Sequence, residues 1–385
     1  MKHISVSAKR AALGALAATL WAATAAWCGQ APDGPMTPQP GISVQQAPTP
    51  KIKVRTVLVN TPVTVTNASG EMVHSLEATD FKVTDNGAPQ RISHFTLGGD
   101  PISLAVVVEV SARIEPLLPE IRKTGILITQ TVIGPTGEGA VVAYDDRVSM
   151  LADFTNNLDS LEKTMSGLRE GSGGARLFDA MSKAVEMLSA RPEVADTELG
   201  KRRVMLVIGE AHDSGSEEKL GEVLRRAQLA NVTIYTVGLS GLKADLKKKS
   251  KEEAVPRATP DGIFGMPGPP GTVQTPSNDA SAQGGVNLLA LAVWAVIHAK
   301  DRITAHQLEI ASAATGGLHV SAWKSHTIEE MIDDIGGELH SQYTITYTPT
   351  DAAENGYHEI RVTVDRKDLS VRARPGYYIE GPQVN

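Results

Sequence analysis

The chain has 385 residues, 41% hydrophobic and 21% charged, an ordinary globular balance with room for a large domain plus a satellite or for two domains. A formal net charge of -7 and a pI near 5.8 lack the basic footprint of a nucleic-acid binder, and 4% aromatics leave no obvious stacking platform for single strands or sugars. Cys28 is the only cysteine, so a mature chain cut after it has no disulfide framework, thiolate zinc site or cysteine nucleophile.

The N-terminus reads as a secretory signal peptide over residues 1–28. Lys2, Lys9 and Arg10 precede the apolar run "AALGALAATLWAATAA", and small residues offer cleavage after Ala25 or Cys28. The run is short for a membrane anchor, so no transmembrane span is expected after cleavage, and the protein is expected to be secreted or periplasmic. Cys28 would suit a lipoprotein signal, but Trp27 stands where a small residue is wanted. Residues 29–51, rich in Pro, Gln and Gly, read as an extended linker.

Residues 52–100 form an N-terminal β region. "KVRTVLVNTPVTVTN" is dense in β-branched residues, and "NASG" at 67–70 marks a turn. "DFKVTDNGAPQRISHFTL" predicts two strands joined at Asn86-Gly87, a pair suited to positive φ in a tight hairpin.

A second regime runs over 101–338. "ISLAVVVEV" is a continuous apolar run, as expected of a strand buried on both faces of a parallel sheet. A helical segment at about 114–133 leads to strands "GAVVAYDD" and "RVSMLADF", with Asp145 and Asp146 as turn residues between them. Helices near 156–168 and 177–190 precede the buried strand "RVMLVIG", and "SEEKLGEVLRRAQLA" leads into "VTIYTVGL". The stretch 243–285 has the composition of a disordered insertion; its cluster Lys247, Lys248, Lys249 and Lys251 is most simply a solvated charge run. "NLLALAVWAV" reads as a core helix, followed by helices at about 303–314 and 326–340 around a last strand in "GGLHVSAW". Residues 339–381 return to β pattern in "QYTITYTPT", "YHEIRVTVDR" and "LSVRARPGYYI". The expected class is therefore α/β, a doubly wound, mostly parallel, Rossmann-like sheet. A flanking β-sandwich-like satellite is expected from the N- and C-terminal strands, and ligands are expected at the carboxyl ends of the parallel strands.

Six strings in order resemble the von Willebrand factor A (vWA)-related domain proteins of the Acidobacterial type, over roughly residues 52–380. They are "VNTPVTVTNASGEMVHSLEATDFKVTDNGAPQRISHF", "ISLAVVVEVS", "GGARLFDAM", "RVMLVIGEAHDSGS", "IASAATGG", and "SQYTITYTP" with "RARPGYY". The resemblance implies an exported vWA-like fold that uses the carboxyl edge of its sheet for protein ligands. The family's cation site, the MIDAS, takes Asp-x-Ser-x-Ser after the first strand, a Thr from a loop and a late Asp. Hydroxyls, carboxylates and waters there suit a hard cation. In this sequence Glu109 matches the first Asp, Ser111 is kept, and Arg113 replaces the second Ser with a permanent cation. Ala175 replaces the Thr, and Glu210 matches the late Asp, with Gly209 one residue away as the other register. The site thus reads as degenerate and metal-free, with Arg113 paired to Glu109 or Glu210. If a metal is held at all, weak Mg²⁺ or Ca²⁺ on Glu109, Ser111, Glu210 and Asp213 is the alternative.

No G-x-S-x-G elbow, phosphate-binding glycine loop or H-E-x-x-H pair is present. Ser111, His212 and Glu210 could be imagined as a hydrolytic triad, but nothing in their spacing demands it. The chain therefore reads as a non-enzymatic, cofactor-free module for a protein partner, presented around Glu109, Ser111, Arg113, Ala175 and Glu210. The alternatives are a divalent-cation-dependent adhesion-type binder with an altered site and a structural cell-envelope component.

Overall fold

Strand β5, Ile102–Glu109, is buried at all of its positions, which requires sheet neighbours on both edges and cover on both faces. The computed structural model supplies both, and it describes residues 58–193, 200–239, 288–297, 306–321, 327–350 and 355–379. Strands β6 (Glu138–Tyr144) and β8 (Arg202–Gly209) flank β5 in parallel. Beyond β8 lie β9 (Thr233–Gly238) and β10 (His319–Ser321), also parallel, while β7 (Val148–Thr155) runs antiparallel at the other edge. The order is β10-β9-β8-β5-β6-β7. The chain winds outward through β6 and β7, then returns to the other side of β5. The strand order therefore reverses between β5 and β8, and a crevice opens at their carboxyl ends.

Alternation along β5 sends Ala105 and Val107 to one face and Leu104, Val106 and Val108 to the other. The first face is covered by α3 (Leu177–Ser189), α4 (Leu220–Leu229), α5 (Leu288–Ile297) and α6 (Gln307–Thr315). The second is covered by α1 (Leu118–Lys123), α2 (Leu158–Ser166) and α7 (Ile328–Ser341). The helix expected over 114–133 is not uniform. A 3₁₀ turn holding Pro116 precedes α1, and a π-helical turn, Ile128–Ile133, ends at Gly134 with φ 68°. Thr327 caps α7 reciprocally with Glu330.

The satellite draws on both ends of the chain. One antiparallel four-stranded sheet has the order β13-β1-β11-β4, from Leu369–Ala373, Val59–Asn67, Tyr343–Tyr347 and Ile92–Leu97. The other has the order β14-β12-β2-β3, from Gly376–Ile379, Gly356–Val364, Phe81–Asp85 and Ala88–Gln90. Asn86 and Gly87, with φ of 47° and 83°, make the β2–β3 turn. Two expected strands prove to be broken. The segment after Gly87 splits at Arg91, so that β3 stays with β2 while β4 crosses to β11. The C-terminal strand likewise splits at Arg374 and Pro375 into β13 and β14, which lie in different sheets. A strand that turns a sandwich corner must break, and proline's missing N–H suits such a break.

Satellite and α/β layer share a buried polar seam. Arg202 donates to the Leu339 carbonyl at 3.0 Å and to Gln342 Oε1 at 2.5 Å, and Gln342 Nε2 donates to Thr64 Oγ1 at 3.0 Å. Arg374 reaches Asn60 O at 3.2 Å and Asn231 Oδ1 at 3.0 Å, and Arg372 pairs with Glu338. These groups are satisfied by one another, as burial demands.

Among the described residues no helix is long and apolar enough to cross a membrane. The expected signal peptide 1–28, linker 29–51 and insertion 243–285 with its lysines lie outside the described residues. Gln342→Leu should lower the unfolding free energy by about 2–4 kcal/mol, because it strips a partner from the buried Arg202. Urea denaturation checks this, and a loss below about 0.5 kcal/mol would show that the seam does not hold the layers.

Candidate functional site

The last residue of β5 is a carboxylate with no solvent. Glu109 is 0% exposed, and both of its oxygens are used: Oε1 accepts from Ser111 Oγ at 2.5 Å and Oε2 from the Glu210 backbone N–H at 2.7 Å. Ser111 Oγ also accepts the Arg113 N–H at 3.3 Å, capping the 3₁₀ turn that carries Arg113 away from the strand. Arg113 turns back across the crevice, and its Nε donates to Glu210 Oε2 at 3.0 Å. Glu210 is nearly buried at 8% side-chain exposure, while Arg113 stays open at 43%. Ser111, Glu109, Glu210 and Arg113 are thus one connected chain across the β5–β8 switch point.

Ala175 joins through its backbone. Its N–H donates to Ser214 Oγ at 3.0 Å and its carbonyl accepts from Ser214 N at 2.9 Å, while its methyl faces the core. Asp213 turns toward the start of α3, where its Oδ1 accepts from Ser216 Oγ at 2.5 Å. Asp179, in the first turn of α3, accepts the backbone N–H groups of Glu217 and Glu218 at 3.1 and 3.0 Å and pairs with Arg176. The loops that form the rim are therefore pinned to one another. Among the described residues no hydrogen bond joins Ser111 to His212.

Packing limits what position 209 can hold. A Cβ on Gly209 would stand 2.2 Å from Tyr144 Oη and 3.0 Å from Glu109 Oε2, so position 209 must be glycine-sized and Glu210 supplies the carboxylate. The Tyr144 hydroxyl is buried with no hydrogen-bond partner among the described residues. Burial first, then the charges of Glu109, Asp213 and Glu210, push its pKa well above the usual phenol value.

Asp145 carries more than the role of a turn residue. It is 7% exposed, and its carboxylate accepts the N–H groups of Ser172 at 2.9 Å and Arg147 at 2.8 Å. Burial raises its pKa, but these bonds outweigh burial and leave it below the usual value. Asp145 thereby fixes the glycine-rich loop 171–174, where a Cβ on Gly171 would collide with its carboxylate at 2.3 Å. An Asp-Asp turn after a buried strand gives no sequence signal of that role.

The residues at this edge do not fit a divalent cation. Such an ion needs several oxygen lone pairs directed at one point. Here both Glu109 oxygens accept protein protons, Ala175 brings no side-chain oxygen, and a guanidinium lies on Glu210.

No family model matches the chain, and no curated protein matches it. Three solved structures align with about the same share of it. The conserved hypothetical protein BatB from Bacteroides thetaiotaomicron is 11% identical with a TM-score of 0.38, covering 62% of this chain and 97% of that one. The SpRpn10 VWA domain is 13% identical with a TM-score of 0.34, over 62% and 94% of the two chains. An aerotolerance-related membrane protein from Bacteroides fragilis NCTC 9343 is 11% identical with a TM-score of 0.37, over 62% and 98%.

Burial raises the Glu109 pKa, and the nearby Glu210 charge adds to this; the Ser111 and Glu210 N–H bonds and the Arg113 charge oppose it without cancelling it. The folded state therefore holds the proton more tightly than the unfolded chain. The stability this gives is present at low pH and is lost as pH rises from about 4.5 through the raised value. Glu109→Gln should remove that component, since an amide can keep the Glu210 N–H bond and donate to Ser111 Oγ. Urea midpoints across this range test it, and parallel wild-type and variant profiles would refute it.

Proposed function

We propose that this chain is an exported vWA-type module, secreted or periplasmic, that binds a protein partner without a cation through the carboxyl edge of its six-stranded sheet. The observation that carries this reading is the Arg113–Glu210 pair at 3.0 Å, which sets a fixed positive charge beside the carboxylates at the switch point. An internal guanidinium there stands in for a metal. The rim loops, held by Asp145, Asp179 and Ser214, give a rigid frame around the half-open Arg113. A guanidinium with donors to spare suits a carboxylate or backbone carbonyl on the partner. The reading includes no catalytic role, since the Ser111 hydroxyl is buried and committed to Glu109.

Two measurements test the proposal. After EDTA treatment, adding Mg²⁺ or Ca²⁺ should leave the thermal midpoint unchanged; a site at ~100 times its dissociation constant would add about 2.7 kcal/mol. A shift that disappears in Glu109→Ala would instead favour the cation-dependent adhesion reading. A photo-crosslinker at Ser214 should capture an exported protein from the native envelope fraction, and Arg113→Ala should reduce capture at least tenfold, about 1.4 kcal/mol. Capture that is unaffected by Arg113→Ala would overturn the proposal. No capture at all would favour a structural envelope component.

A further inference from the structure

Strand β7 closes one side of the six-stranded sheet, and beyond its pairing with β6 it meets no further strand among the described residues. An open edge of this kind presents backbone N–H and C=O groups to any extended chain that comes alongside. From Val148 to Thr155 the strand holds neither lysine nor proline, the residues that commonly close an edge. Its ladder to β6 shifts register at Leu151, between the pairs Met150–Val142 and Ala152–Val141, so the regular stretch that stays open lies before that bulge. Met150 and Leu151 stand side by side there, 52% and 45% exposed.

An open groove of about 840 Å³ runs beside this stretch, between β7 and α3. Met150 lies opposite Val142 and Val148 opposite Tyr144, so both side chains project to the sheet face that α3 covers, and they give the groove an apolar floor. Ser182 and Glu186, one turn apart on α3, form a wall. Glu217 and Glu218 stand where α3 begins, since Asp179 holds their N–H groups. Four carboxylates and three cations line the groove. Arg176 is held by Asp179 at 2.6 Å and by Glu217 at 3.0 Å, Lys183 by Glu186 at 3.1 Å, and Arg147, at the turn, by its neighbour Asp146 at 3.3 Å. Glu217 and Glu186 stay 87% and 71% exposed, against 29% and 39% for Arg176 and Lys183, so the charge offered to a visitor is negative.

We propose that an extended, basic segment of a partner protein adds to β7 as a further strand of the sheet and lays a lysine or arginine side chain along the groove. Pairing to a sheet edge supplies main-chain hydrogen bonds, and a pocket for an alternate side chain supplies selectivity. A long basic side chain matches both parts of the groove, because its methylene stem covers Met150 and Val148 while its cation reaches the exposed carboxylates. Methionine adapts its shape to such a stem. The bulge at Leu151 ends the paired stretch, so only a short strand is taken. Neither Arg113 nor Glu109 lines the groove, so this surface goes beyond the carboxyl-edge reading, and the two stand or fall separately.

The test is fluorescence anisotropy of the purified chain with a labelled synthetic peptide that alternates valine and lysine. This peptide should bind, and one alternating valine and glutamate should not. N-methylation of every amide in the first peptide should weaken it about tenfold or more, because it removes the donors of the added strand. Met150→Lys sets a cation on the floor of the groove and should weaken binding to a similar extent. Leu97→Lys makes the same change of charge at an exposed residue of β4 in the satellite and should leave binding as it was. No binding, binding that ignores N-methylation, or an equal loss in both variants would overturn the proposal, the last two by showing a general attraction of basic peptides to an acidic protein. A dimer in sedimentation that dissociates in Met150→Lys would also overturn it, by assigning the edge to a second copy of the chain. The methylated and unmethylated peptides decide the matter on the wild-type chain even if a variant does not fold.

Discussion

A carboxylate at the end of a strand that is paired on both edges and covered on both faces cannot be hydrated, and Glu109 is in that position. Its charge or its proton must be met by the protein, and the groups that meet it organise the whole sheet edge. Ser111 satisfies one oxygen and begins the turn that carries Arg113; the Glu210 N–H satisfies the other and fixes the loop after β8. Arg113 then closes on Glu210. A buried polar network that is complete in this way holds one geometry, whereas a half-satisfied one would be costly.

The rim is built on the same logic, in which each loop supplies what another lacks. Asp145 accepts the Ser172 N–H of the loop before α3, and Asp179 accepts the Glu217 and Glu218 N–H groups before α4. Glycines at 171 and 209 stand where side chains of neighbouring elements need the space. The carboxyl edge of the sheet is therefore set by side chains from α3 and from several loops together, and not by any one segment.

The satellite shows the same dependence at a larger scale. Neither end of the chain makes a sandwich alone, since β1 lies between β11 and β13 and β12 lies between β2 and β14. The α/β layer enters and leaves between those strands, so its boundary with the sandwich is a polar seam centred on Arg202, Gln342, Arg372 and Arg374. Charged groups at such a seam favour one docking of the two layers over others, because any other would leave them buried and unpaired.

Local composition was enough to establish the class of the fold. The apolar run from Ile102 to Val108 reads as a doubly covered strand because only burial on both faces permits such a run, and the Asn86-Gly87 pair reads as a turn because few residues accept positive φ. The alternation of strands and helices implied the parallel sheet, and matching β pattern at the two ends implied the satellite. The family resemblance in the sequence also pointed to Glu109, Ser111, Arg113 and Glu210, with a cation where that pattern has a hydroxyl. It left open which carboxylate Arg113 would take and where two strands would break to change sheets. It gave no sign of the burial of Asp145 and Tyr144 or of the groove between β7 and α3. Those outcomes depend on contacts between residues far apart along the chain, and such contacts exist only once the layers have packed.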